Sequence, residues 1–404
     1  MNYFAVSLVI VFYLLLVRAL RYRHRDGFFQ RCPQYRTREG MASMSLAKAS
    51  SVMQELASRE FPVTFSTSIF FALFKTYGIP SISKLLVATS QLSGHATASK
   101  RRTDTGVLMF EIVCNAPCSK RNIDAVARIN FLHSRWRQAG KISDDDMLYT
   151  LGLFVLEPMR WIFLYEWRDL SMLERYALAM IWKNLGQEMG ISYECLEPYM
   201  DKENDALAWL ESLRKWCSKY QQHHMVRAVS NEKLAQANLH LILIDFPRFA
   251  HDFIFRQLRC LMEPQVRHAM GYEDPSKLDF FIFDKLITIR RYTIKLLCLP
   301  RPRWWTTPII LDADKKTGRL HLSTYLAHPY YVKASFYSRW GPSALYTRLI
   351  GGYLPGDAGA KFCPDGYTIP ELGPDSQKDE GQEYMHLTRE KIRRARGCPM
   401  AFQA

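Results

Sequence analysis

The chain has 404 residues, 48% of them hydrophobic, and a formal net charge of +15. That length allows a substantial core, and the apolar content excludes a disordered chain. So basic a balance favours an anionic surface; with no zinc-ligand spacing and no RNA-reading run of basic and aromatic residues, the expected surface is an acidic lipid leaflet and not nucleic acid.

Tyr3 to Val17 is an uncharged, almost wholly apolar run, followed at once by Arg18, Arg21, Arg23 and Arg25. A spanning helix needs about 20 residues. Ala19 and Leu20 extend the run, and Arg18 can snorkel to the interface. Basic residues do not precede it and no small-x-small site follows, so it reads as a retained anchor and not a cleaved leader. The positive-inside rule then places the main domain on the cytosolic face. The division that follows is a membrane anchor over 1–20 and a basic juxtamembrane stalk over 21–40. A helical domain covers 41–355, and a Gly/Pro-rich tail with a basic end covers 356–404. Arginines of the stalk near the surface would favour anionic lipid by roughly 1 kcal/mol each.

Helical spacing begins over Ala42–Arg59. Phe61–Leu86 is apolar and punctuated at Gly78 and Pro80, and a small-residue loop follows over Ala88–Lys100. Thr105–Trp182 is mostly helical, with a break at Pro117. Ser143 before Asp144, Asp145 and Asp146 is a helix start: a serine cap, a carboxylate three residues on, and negative charge in the first turn. Pro158 should bend or end that helix. Further helical segments are expected at Leu207–Trp216, Ala235–Ile244, Phe253–Met270 and Phe280–Leu299. Paired tryptophans beside arginines, at Arg301-Pro302-Arg303-Trp304-Trp305, suit a membrane interface. Ile309–Leu311 and Leu320–Tyr325 flank the turn-like Asp314–Gly318, which predicts one β-hairpin. The basic run Lys391, Arg393, Arg394 and Arg396 reads as a solvated face or a second lipid contact. The fold class is mainly α with a small hairpin.

Nine cysteines are scattered, without Cys-x-x-Cys, and there is no glycosylation sequon; both absences suit a reducing, cytosolic environment. Other chemistry finds no support. Gly351–Gly356 has the wrong spacing for a dinucleotide loop, and no Gly-x-Ser-x-Gly occurs. His24-Arg25-Asp26 lies in the stalk, where a buried iron triad has no place. One histidine stands out. Val126, Ile129 and His133 share a helix face, so the imidazole of His133 meets an apolar interior and needs a partner. A backbone carbonyl is one such partner and a metal, haem iron in particular, is another.

Many blocks in one order carry a resemblance over most of the chain. They include Phe71–Pro80, Lys100–Thr105, Phe131-Leu132-His133-Ser134, Asp146–Leu151, Glu157-Pro158 and Glu166-Trp167-Arg168. Gly190–Tyr193, Tyr331-Val332-Lys333, Arg339–Pro342 and Pro355-Gly356-Asp357 continue it. With these the sequence resembles the endoplasmic-reticulum-bound oxygenases of fungal meroterpenoid pathways, the mycophenolic acid (mpaB) type, which are distantly similar to bacterial latex clearing protein. The resemblance implies a globin-like helical fold around haem b. It also implies O2-dependent cleavage of a carbon–carbon double bond in the prenyl chain of an aromatic or terpenoid substrate, at the ER membrane. It makes His133 the candidate proximal ligand of the haem iron. It makes Arg102 and Thr103 the candidate catalytic pair on the open side, where a solvated basic loop is the alternative. Arg128 is a candidate partner of a haem propionate, against a surface ion pair. Phe131, Phe154 and Trp161 are expected to line the prenyl channel. His251 is a candidate distal group or alternative ligand, with packing the favoured reading, and His223-His224 is assigned to the exposed surface. Two other functions stay open: a different haem-dependent oxidation, such as hydroxylation, and a non-catalytic ER-tethered carrier of prenylated intermediates.

Overall fold

The computed structural model describes residues 3–89, 92, 94, 97–196, 205–306 and 308–398. The longer helices are α1 (Tyr3–Leu20), α2 (Arg23–Arg31), α3 (Leu46–Glu55), α4 (Pro62–Thr76), α5 (Pro80–Ala88), α6 (Ala98–Cys114) and α7 (Lys120–Gln138). They continue as α8 (Asp144–Tyr165), α9 (Met172–Glu188), α10 (Ala206–His224), α11 (Val229–Leu243), α12 (His251–Leu261), α13 (Lys277–Leu297) and α14 (Gln382–Arg396). Parts of the loop expected over 88–100, and the end of the tail, lie outside the described residues.

Local chemistry accounts for many helix starts. Ser143 accepts from the Asp146 N–H, as its spacing predicts. Ser171 with Glu174 and Ser276 with Asp279 form capping boxes on α9 and α13. Pro62 and Pro80 open α4 and α5, where a missing N–H costs nothing. Pro158 does not end α8, which runs on to Tyr165. The segment after α3 continues as a π turn over Leu56–Glu60.

Packing centres on α8, which lies against α4, α9 and α10. Gly152 is what lets α10 approach: a Cβ there would collide with Cys217 Sγ. Lys75 on α4 ties to α8 through Glu157 at 2.9 Å, and to Glu263 at 2.6 Å. α14 packs along α7, so the tail folds back onto the helical domain. α1 is largely exposed along its apolar length and is long and apolar enough to cross a membrane. α8 passes the same test on composition but is mostly buried.

Three expectations are corrected. The hairpin does not form strands: among the described residues there are only isolated antiparallel bridges, Ile310–Leu322 and Leu320–Tyr367. Pairing partners change too quickly for a ladder. Leu320 exchanges both backbone hydrogen bonds with Tyr367, the Leu322 N–H goes to Tyr331, and Pro308 has no N–H to carry pairing past Ser323. The cysteines are not all reduced, because Cys118 and Cys398 form a disulfide that pins the end of α14 near the start of α7. The basic end is not wholly a solvated face: Arg396 pairs with Glu188 at 2.5 Å and donates to the Pro117 carbonyl and Asn122. Two residues of the stalk segment also meet the domain. Arg21 is buried over the Trp167 ring, and His24 meets Glu55 at 2.6 Å.

Candidate active site

Between α4, α5, α6, α7, α8, α9, α11 and α12 lies a cavity of about 800 Å³ with a mostly apolar wall. That is the size expected of a small-molecule or cofactor site. The helical period explains which residues reach it. On α7 the wall takes Ile129, Leu132, His133 and Trp136, all on one face. On α6 it takes Arg101, Arg102, Thr105, Leu108 and Met109, again one face. On α8 and the neighbouring helices, Phe154 stacks on Trp182 with centroids 5.3 Å apart, and Phe71 lies 5.1 Å from Trp161; all four line the wall.

His133 borders the cavity, and its Nδ1 is enclosed without a hydrogen-bond partner. Burial pushes its pKa down to about 4, with the charges of Arg101 and Arg137 adding to the effect and the Ile129 carbonyl opposing it. The ring is therefore neutral at pH 7, with a lone pair free to bind a metal. Arg101 and Arg102 each enclose an Nη1 that has no partner. Burial pulls both guanidiniums below their ordinary pKa, against Asp104 and Tyr77 for Arg101, and Tyr77 and Asp245 for Arg102. Arg102 also sits over the Phe70 ring at 5.5 Å. Among the described residues no group of three or more His, Cys, Asp or Glu side chains could hold a bare metal ion.

Other predicted site residues lie elsewhere. Thr103 is roughly 160° round the helix from the cavity face of α6, by the helical period, and its hydroxyl donates to the Ser99 carbonyl at 2.9 Å. Phe131 is turned to the opposite side of α7, against Tyr384 on α14 at 6.0 Å. Arg128 is fully buried and faces the C-terminal segment. Its Nε donates to the Leu372 carbonyl at 2.8 Å, Nη1 to Glu380 at 3.0 Å and Nη2 to Gln377 at 2.7 Å. Each of its nitrogens donates to that segment and the side chain is not part of the cavity wall, so Arg128 is not placed to meet a propionate there. His251 Nε2 meets the Phe246 carbonyl at 2.9 Å, a packing role. His223 bonds the Lys219 carbonyl and His224 stacks on Tyr220, both exposed.

Residues the sequence reading passed over are Arg101, Thr105, Trp136 and Asp245. The first two had a signal, since 101, 105, 108 and 109 repeat at helical spacing. Asp245 had none. It reaches the wall from beyond the end of α11, where its carboxylate accepts from the Ala327 N–H at 2.9 Å.

No family model matches the chain. It is similar to "ER-bound oxygenase mpaB'" of Penicillium brevicompactum, 39% identical over 389 residues, covering 96% of this chain and 92% of that protein. It is also similar to "ER-bound oxygenase mpaB" of the same organism, 38% identical over 368 residues, 91% of this chain and 87% of the relative. A third relative, "ER-bound oxygenase mpaB" of Penicillium roqueforti (strain FM164), is 41% identical over 269 residues, 67% of this chain and 90% of its own length.

Proposed function

The chain belongs to the mpaB family of ER-bound oxygenases, and on that premise we propose that it is a haem-dependent oxygenase of fungal secondary metabolism, cleaving a double bond in the prenyl chain of an aromatic or terpenoid substrate. One observation carries the reading: a neutral histidine with a partnerless Nδ1 stands on the wall of a large apolar cavity beside two guanidiniums with unpaired nitrogens. The residues fit haem b. A porphyrin brings four ligands of its own, so one histidine suffices where a bare ion would need a cluster. The two arginines offer cations to propionate carboxylates, a role that passes from Arg128 to Arg101.

When bound, the haem supplies the oxidising chemistry for dioxygen attack on a carbon–carbon double bond. The chain does the rest. His133 would hold the iron, and Arg101, whose charge acts on that ring, would hold a propionate. Arg102 provides a buried donor toward negative charge on oxygen. Phe71, Phe154 and Trp161 exclude water and accept the prenyl chain. Thr103 drops out of this scheme because its hydroxyl is committed to Ser99. Arg102→Gln should lower turnover roughly 100-fold, whereas Thr103→Val should leave it unchanged in steady-state assays; a comparable loss in both variants would restore Thr103 beside Arg102, and the reverse ranking would overturn the role of Arg102.

Product mass tests the reaction itself. With dioxygen and a prenylated phenol, the haem-loaded protein should release a shortened aldehyde or acid. A product heavier by one oxygen would assign hydroxylation, and binding without any product would assign a carrier.

For topology we place the domain on the cytosolic face, on the strength of Arg18, Arg23 and Arg25 after the span. The Cys118–Cys398 disulfide argues the other way, since such bonds persist in oxidising compartments. Protease added to sealed microsomes should digest the domain. Protection until detergent is added would put it in the lumen.

A further inference from the structure

The domain has a second apolar surface beside the anchor. The inner face of α13 is tied to the core: Arg290 pairs with Glu166 at 2.6 Å, and Phe283 packs on Tyr165 at 5.8 Å. Its outer face carries Leu278, Phe281, Ile289, Tyr292 and Leu296, spaced three, four and eight apart, and each is more than half exposed. Lys277, Lys285, Arg291 and Lys295 are exposed on or beside that stripe. Just beyond the helix, Trp304 and Trp305 stack on each other and are 83% and 69% exposed.

The contact with α1 says what covers this face. The Tyr13 hydroxyl donates to the Leu297 carbonyl at 2.7 Å, and Arg21 donates to the Cys298 carbonyl at 3.0 Å. Tyr13 lies seven residues, about 10 Å of helix, inside the C-terminal end of α1. A span the length of α1 matches a hydrocarbon layer of about 30 Å. If α1 crosses the bilayer, the end of α13 is carried below the headgroups with it.

We propose that the outer face of α13, with Trp304 and Trp305, is a membrane-immersed surface that seats the domain on the bilayer beside α1. The inference rests on the reading of α1 as a span. The pattern is that of an interfacial helix: an apolar stripe for the acyl boundary, basic flanks for anionic headgroups, and tryptophans at the belt. The seat also brings the cavity close to lipid. α12 packs against α13, with Arg256 3.3 Å from Asp279, while Ile254, Leu258 and Leu261 of α12 line the cavity. Only α12 then stands between the cavity and the immersed helix α13, close to the layer in which a prenylated substrate dissolves.

Photocrosslinking of the full chain tests this. Benzoylphenylalanine is placed singly at Phe281, Ile289, Ile10 of α1, and Lys316 in an exposed turn, in vesicles of phosphatidylcholine and phosphatidylserine. Illumination should give lipid adducts at 281 and 289 comparable to those at 10, and none at 316. A chain-to-chain product at 281 and 289 would overturn the proposal in favour of self-association. An adduct at 10 with none at 281 and 289 would overturn it in favour of a solvent-facing helix. No adduct at 10 would remove the anchor reading, and this proposal with it.

Discussion

Replacing His133 with alanine is expected to abolish the Soret band of the detergent-solubilised protein and to lower turnover by at least ~100-fold. The expectation follows from where the ring sits. It faces the cavity, and its Nδ1 makes no hydrogen bond of normal geometry, so truncation removes the proposed ligand without stranding a side-chain partner. Helical content by circular dichroism should therefore stay at the wild-type level. The depressed pKa adds to the case, because a ring already neutral at pH 7 gives up no proton to bind iron. A wild type with no Soret band after haem-replete expression, or a band and turnover untouched in the variant, would sink the assignment.

Arg128→Met is expected to damage stability far more than His133→Ala. The guanidinium is fully buried and donates to three carbonyls, those of Leu372, Gln377 and Glu380. Methionine fills the space and leaves those acceptors without donors. The estimated cost is about 3–5 kcal/mol, the scale for breaking a buried charged network. The effect should also reach the site. Pro374, Ser376 and Gln377 belong to that segment and line the cavity. Asp104 holds the same segment from α6, accepting from the Gly373 N–H at 3.2 Å. The variant should melt several degrees lower and lose the proposed haem on gel filtration, although the proposed ligand has not been touched. A melting temperature within a degree of wild type would show that the segment is held by other contacts. Retained haem alongside a lowered melting point would confine Arg128 to stability.

The sequence by itself determined the family, the apolar N-terminal helix, the helical class and the helix face on which His133 lies. Each is written in local pattern. Ser143 and three aspartates make a helix start whatever surrounds them, and the 126–129–133 spacing puts His133 on one face of α7 in any fold that keeps the helix. The same periodicity, at 101, 105, 108 and 109, marks the cavity face of α6 and sets Thr103 behind it.

Tertiary structure alone decided what the other faces meet. Arg128 and Phe131 sit on α7 beside His133, yet they turn to a segment some 245 residues later. The pairing of Cys118 with Cys398 spans 280 residues, and Asp245 enters the wall from outside any helix pattern. The hairpin failed for the same reason: Leu320 found Tyr367, a partner its turn could not announce. Local propensity fixes which way a side chain leaves its helix. Only the packing of distant segments fixes whether it meets a cavity, a carbonyl or lipid.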